Sequence, residues 1–122
     1  MITKKDNQIL KDSKSFAIRI IRLYRFLREE KQEFILSKQV LRSGTSIGAN
    51  VRESINAQSK LDFVNKLNIA LKEADETEYW LELLHETDFL EEKQFLSIYK
   101  DCGEIAAMLT SIIKTIKNNE TK

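Results

Sequence analysis

Residues 41–54 read LRSGTSIGANVRES, and this run of small residues decides the fold. By composition the run would suit a loop. Helical spacing nevertheless continues straight through it, at Val40, Gly44, Ile47, Gly48, Val51 and Ile55. An interior glycine costs a helix about 1 kcal/mol relative to alanine, so two glycines four residues apart indicate that another backbone comes close. The stretch is predicted to lie in a helix over residues 37–57 with a tight-packing groove at its middle.

Apolar residues at spacings of three and four predict three more helices, over residues 5–31, 60–86 and 91–117. Ser59, with Asp62 three residues later, is an N-cap signal for the third helix. Gly103 lies inside the periodic pattern of the fourth helix and is predicted to mark a close contact. Because short breaks favour antiparallel neighbours, residues 1–122 are predicted to form one all-α domain, an antiparallel up-down-up-down four-helix bundle.

The composition excludes several other classes of protein. The 122 residues are 42% hydrophobic and 32% charged, with three glycines, no proline and one cysteine. Such a chain cannot be divided into many short strands joined by tight turns, and it cannot form a disulfide scaffold. No apolar run approaches the length of a membrane span, and the N-terminus has no signal-peptide pattern. We therefore expect a soluble cytoplasmic protein with no membrane partner.

Charge is distributed unevenly along the chain, although the formal net charge is only +1. Residues 1–31 carry nine Lys/Arg against four Asp/Glu, whereas residues 59–90 carry three against eight. Three interpretations stay open: a basic face for a polyanion, attraction between two helices within or between subunits, and two solvated helix faces.

The first helix carries the candidate nucleic-acid-binding residues, which we call the basic ridge: Lys11, Lys14, Arg19, Arg22, Arg25 and Arg28. Its four arginines recur every three residues and so follow a slanted line on a helix. Clustered cations are what phosphate binding needs. No RNP, KH or zinc-finger motif accompanies them, so any binding would read the backbone or shape of RNA or DNA.

Catalytic motifs are incomplete. Glu82 and His85 form one Glu-x-x-His, but di-iron bundles need two such motifs and this chain has a single histidine. Cys102 falls on the apolar stripe of the fourth helix, as expected for a buried thiol. Neither a nucleophile elbow nor a phosphate loop is present. The sequence therefore predicts no enzyme activity, no cofactor and no metal site.

Polar residues flank the apolar stripes of the second and third helices: Arg42, Ser46, Asn50 and Glu53 on one, and Lys72, Glu73, Glu76 and Trp80 on the other. Partly buried polar groups need partners. We expect Arg42 to pair with an acidic residue of the third helix, and Glu53 with Lys72. Their predicted role is to set register and orientation within or between subunits.

The run of residues 41–54 closely resembles a known family, together with Asp62-Phe63, residues 69–74 and 76–81, and Leu84. This family comprises bacterial four-helix-bundle proteins often encoded in intervening sequences of 23S ribosomal RNA genes, called S23 ribosomal protein-like. The similarity spans about residues 10–117 and is most specific in RSGTSIGAN. The family label reflects gene location and does not place the protein in ribosomes.

The resemblance implies an antiparallel four-helix bundle that assembles into a homopentameric ring. It also implies kinship with the accessory variability protein of diversity-generating retroelements, a basic barrel that binds nucleic acid and reverse transcriptase. Matching family positions, interpreted as packing and assembly determinants, are Arg42, Ser43, Gly44, Ser46, Gly48, Asn50, Glu53, Lys72, Glu73, Glu76 and Trp80.

Two functions are therefore expected. The first is a non-enzymatic homo-oligomer that binds structured RNA or DNA through the basic ridge. The alternative is an assembly scaffold that binds protein and has no nucleic-acid role.

Overall fold

The structure is a computed structural model that describes residues 4–120. It folds them into four helices: α1 (Lys4–Glu29), α2 (Leu36–Ile55), α3 (Lys60–Glu86) and α4 (Glu92–Glu120). No strand occurs in this described part of the chain. Each helix contacts the next one along the chain, and α1 also meets α4, although less extensively. The predicted all-α fold of four helices is confirmed, with helix ends within a few residues of those expected.

The small-residue run of residues 41–54 is helical throughout, inside α2. A Cβ atom added at Gly44 would lie 2.7 Å from Cγ1 of Ile20, and one at Gly48 would lie 3.2 Å from the carbonyl oxygen of Ser13. Because both distances are shorter than ordinary contacts, α1 approaches α2 as closely as it does only where α2 has no side chain. The close approach predicted for these two glycines is confirmed.

The same prediction is wrong for Gly103. A Cβ atom added there would meet nothing within 4 Å in the described chain. Gly103 follows the buried Cys102 and precedes the exposed Glu104, so it lies at the edge of the core-facing stripe of α4. Apolar periodicity continues through this position, but no neighbouring helix reaches it.

One contiguous core joins the inward stripes of all four helices. Val64 and Thr77 are buried members of the α3 stripe that apolar spacing did not identify, whereas Phe63 and Leu71 lie at its edge. The largest fully buried side chains are Ile9, Ile20, Leu27, Val40, Ile47, Val51, Leu67, Thr77, Leu81, Leu84, Cys102 and Leu109.

A buried carboxylate holds the turn between α1 and α2. Glu33 accepts hydrogen bonds from the backbone N–H groups of Ile35, Leu36 and Ser37 at 3.1, 2.9 and 2.7 Å. The Ser37 hydroxyl donates back to the carbonyl oxygen of Glu33 at 2.8 Å. Glu33 thus satisfies N–H groups that the first turn of any helix leaves without partners. Gln32, with φ of 53°, turns the chain into this cap.

The ends of α3 follow local sequence signals. Ser59 accepts a hydrogen bond from the backbone N–H of Asp62 at 3.0 Å, which confirms the predicted N-cap. At the other end Asp88 adopts a left-handed conformation with φ of 69°. The N–H of Phe89 then bonds the carbonyl oxygen of Leu84 at 2.9 Å, a C-terminal helix stop built without glycine.

Candidate interaction surfaces

A polar seam joins α2 to α3 on the outside of the bundle. The Arg42 guanidinium donates to Glu73 at 3.3 Å and also to Glu76. Glu76 in turn accepts a hydrogen bond from the indole N–H of Trp80 at 3.0 Å. The predicted pairing of Arg42 with an acidic partner on the third helix is confirmed. Since half of the Arg42 side chain is exposed, we attribute orientation and only a small part of the stability to this network.

Beneath this seam lies a buried hydroxyl pair. The Thr77 hydroxyl donates to Ser43 Oγ at 2.8 Å and is also within 2.7 Å of the carbonyl oxygen of Glu73. Both residues are fully buried, so each satisfies a polar group that would otherwise be left without a partner in the core. Thr77 was not predicted, although its position between Ala74 and Leu81 on the α3 stripe could have revealed it.

Glu53 bonds Lys66 at 3.1 Å, so the expected partner Lys72 is wrong. The register explains the difference. Ser43 lies opposite Thr77, and Glu53 stands ten residues further along α2, about the same rise that separates Lys66 from Thr77 on α3. Lys72 is exposed.

Ser46 and Asn50 make no cross-helix hydrogen bond. The Ser46 hydroxyl donates to the carbonyl oxygen of Arg42 at 2.7 Å, and the Asn50 amide donates to that of Ser46 at 2.9 Å. Both side chains therefore fold back on their own helix, as serine and asparagine in helix interiors often do. This leaves a smooth strip of small residues along α2.

The structure divides the basic ridge into two groups. Lys11, Lys14, Arg22 and Arg25 are exposed on the outer side of α1. Arg19 instead pairs with Asp101 of α4 at 2.6 Å. It also donates to the Ser97 hydroxyl at 2.7 Å.

Arg28 belongs with Arg19 in the group that has intramolecular partners. Its guanidinium donates to the Tyr24 hydroxyl at 2.6 Å and lies over the rings of Tyr24 and Phe34 at 5.3 and 5.5 Å. Four of the six ridge residues are therefore available to a polyanion, and two hold the fold.

Two further cations of α2, Lys38 and Arg52, are exposed and were not among the predicted binding residues. Arg52 lies one turn beyond Gly48, whose backbone packs against Ser13 of α1. The exposed part of the basic ridge therefore continues onto α2 near Lys14. Helical spacing from Gly48 is the sequence signal that could have identified Arg52.

An open groove separates α1 from α4. Its volume is about 800 Å³. We call it the α1–α4 groove; its lining residues include Ser15, Phe16, Leu23 and Phe26 of α1 and Ile98, Ile105 and Met108 of α4. Arg19 and Asp101 meet within it, and Arg22 and Glu104 also line it. The groove is thus apolar in part and charged along its sides.

Cys102 is fully buried, as predicted, and its Sγ lies 3.4 Å from the carbonyl oxygen of Ala74. Burial raises the pKa of this thiol to about 12, and the carboxylates of Glu78, Asp75 and Asp101 act in the same direction. The thiol stays protonated at neutral pH, which makes it a poor nucleophile.

The Glu-x-x-His pair does not converge on a common point. Glu82 accepts a hydrogen bond from the Tyr99 hydroxyl at 2.7 Å, and this bond raises the pKa of Tyr99. His85 stacks on Phe95, with ring centroids 4.3 Å apart. Among residues 4–120, no three His, Cys, Asp or Glu side chains are grouped so that they could hold a metal ion. Nor does this part of the chain include a helix long and apolar enough to cross a membrane.

Four helices, a charged exterior and surfaces free of catalytic clusters in the described chain define an all-α bundle whose most distinctive features are its surfaces. Residues 5–111 match the family described as 23S rRNA-intervening sequence protein, and the chain belongs to that family.

A solved structure supports the same assignment. The chain is 60% identical to a protein of unknown function from the S23 ribosomal protein family of Bacteroides thetaiotaomicron, with a TM-score of 0.89. The match covers 90% of this chain and 98% of that one. No curated protein matches this chain. The resemblance inferred from the run of residues 41–54 is confirmed.

Proposed function

We propose that this protein is a non-enzymatic homo-oligomer, a pentameric ring of antiparallel up-down-up-down bundles, that binds structured RNA or DNA through the exposed part of its basic ridge. One observation carries the proposal. Lys11, Lys14, Arg22 and Arg25 stand exposed on one side of α1, with no ion pair to another described residue.

The order of contacts between neighbouring helices supports the antiparallel arrangement. As residue numbers rise along one helix, those of its partner fall. The pairs are Ser13–Gly48 and Ile20–Gly44, Ser43–Thr77 and Glu53–Lys66, and Ala74–Cys102 and Glu82–Tyr99.

Repetition of the exposed cations in an oligomer supports nucleic-acid binding by a chain of net charge +1. Each bound phosphate releases condensed counterions, so contacts from several subunits add up in the salt dependence of affinity. A ring would place the ridge of every subunit on equivalent surfaces. Such contacts read phosphate and shape, since no base-reading motif accompanies them.

The charge distribution favours a second candidate, an assembly scaffold that binds protein and no nucleic acid. Arg19 and Arg28 already have intramolecular partners, and α3 carries an excess of acidic residues. In that case the exposed cations pair with acidic residues of another subunit. High salt then loosens the assembly, and Arg22→Glu with Arg25→Glu changes its mass.

A titration of the purified protein against labelled structured RNA and duplex DNA, read by fluorescence anisotropy at low and near-physiological salt, tests the proposal. We expect binding with a steep negative salt slope. Arg22→Glu with Arg25→Glu should make this slope shallower by about one for each phosphate that the variant no longer binds.

The matched control for this titration reverses two exposed cations outside the ridge, Lys93→Glu with Lys100→Glu. It has the same net charge as the ridge variant and should retain most of the binding. The absence of binding by the wild type at low salt would reject the nucleic-acid role and favour the scaffold.

A further inference from the structure

Two apolar surfaces of the bundle have no cover within the described chain. The first is the α1–α4 groove, whose apolar lining includes Leu23, Phe26, Ile105 and Met108. These side chains are partly or largely buried by the bundle, yet they border an open volume of about 800 Å³. An open cleft of this size with apolar walls is an uncommon feature of a monomer and is typical of a binding surface.

The second surface is the outer side of α3, which we call the apolar ridge of α3: Leu61, Ile69 and Tyr79. These residues are 70%, 42% and 54% exposed. Leu61 and Tyr79 are separated by about five full helical turns and so point in the same direction, with Ile69 between them. They lie on the side of α3 that faces away from the core stripe of Leu67, Ala74 and Leu81.

The charges beside the two surfaces are opposite. Arg22 lines the α1–α4 groove, and Lys11, Lys14 and Arg25 are exposed on the same helix. α3 is acidic: Asp75 is exposed near the middle of the apolar ridge of α3, and Glu76, Glu78 and Glu82 are partly exposed. Opposite potentials on two apolar surfaces favour their association and select its orientation.

We propose that the α1–α4 groove binds the apolar ridge of α3 from a second copy of this chain. Within one chain this cannot occur, because the ridge points away from the core to which α1 and α4 belong. The two surfaces differ, so the contact is head-to-tail and leaves a free groove and a free ridge at each end of a dimer. The proposal depends on the self-association included in the proposed function, and it specifies the surfaces that meet.

A mixing experiment with two complementary variants tests this contact. Ile69→Lys with Tyr79→Lys changes the ridge at exposed positions, and Ser15→Glu with Met108→Glu places negative charge on both walls of the groove. Each variant alone should sediment as a monomer, because one of its two surfaces is disrupted. An equimolar mixture should form a 1:1 heterodimer, since the intact groove of one variant meets the intact ridge of the other.

Two controls separate association from folding. Leu96→Glu changes another exposed apolar residue, one that belongs to neither surface, and should keep the wild-type mass. Ser15→Trp, at an exposed position, fills the groove without a new charge and replaces the double variant if that variant melts at a much lower temperature. Melting temperature and molar mass are measured for every variant.

The possible outcomes distinguish this contact from the proposed function. If the wild type is a monomer at high micromolar concentration, both the contact and the self-association in the proposed function are wrong. If the wild type is an oligomer and the folded variants keep its mass, or become monomers that do not combine on mixing, only the pairing of these surfaces is wrong. Nucleic-acid binding is judged separately by the anisotropy titration.

Discussion

The two sides of α1 differ in how closely the next helix approaches. Towards α2, the glycines Gly44 and Gly48 let the backbone of α1 pack against bare helix. Towards α4 there is no comparable pair of small residues, and the α1–α4 groove stays open beside the Arg19–Asp101 ion pair. The comparison shows that small residues decide which seams of this bundle close, because apolar periodicity is present on every helix.

The largest expected effect comes from filling the closed seam. Gly48→Leu places a side chain against the backbone carbonyl of Ser13, which cannot move away without displacing α1. We expect a loss of about 3 kcal/mol in the free energy of unfolding, the upper part of the range for overpacked sites. Urea denaturation measures it, and an unchanged midpoint would show that the helices can separate freely.

The turn that begins the same seam should matter next. Glu33→Ala removes the carboxylate that accepts three backbone N–H groups at the start of α2. Loss of a cap combined with unsatisfied buried donors should cost about 2 kcal/mol. Glu53→Ala, which removes an exposed and singly paired carboxylate, is the matched control and should change stability by less than about 1 kcal/mol.

Gly103→Ala tests the glycine that no neighbour requires. Because the added Cβ meets no atom within 4 Å, the substitution should stabilise the chain by about 0.5–1 kcal/mol through helix propensity alone. Thermal melting at low protein concentration measures the gain. A loss of stability would mean that another molecule occupies the space beside Gly103.

The smallest effect is expected at the open seam. Arg19 and Asp101 are both partly exposed, so a double-mutant cycle with Arg19→Ala and Asp101→Ala should give a coupling of about 0.5 kcal/mol. The coupling should shrink as salt is added. A value of about 2 kcal/mol or more would show that this ion pair, and not apolar packing, determines how far α1 stands from α4.

Local patterns in the sequence were sufficient for the helices and for much of the α2–α3 seam. The spacing from Val40 to Ile55 identified a helix through a run that would suit a loop, and Arg42 has the acidic partners that were expected. The partner of Glu53 was wrong, since a pairing across helices depends on their relative height, which spacing within one helix does not contain. Glu33 was missed because its carboxylate acts through backbone N–H groups, for which no sequence motif was sought.

The sequence by itself determined the number and type of elements and the family to which the chain belongs, because helix formation and apolar periodicity are local properties of the chain. Tertiary structure alone decided the outcomes that depend on neighbours. It separated Gly44 and Gly48, which lie against α1, from Gly103, which contacts no other helix. It also divided the basic ridge, because Arg19 has Asp101 within reach and Arg22 does not. A side chain's role on a helix surface depends on what the adjacent helix places opposite it, and that is fixed only when the helices pack.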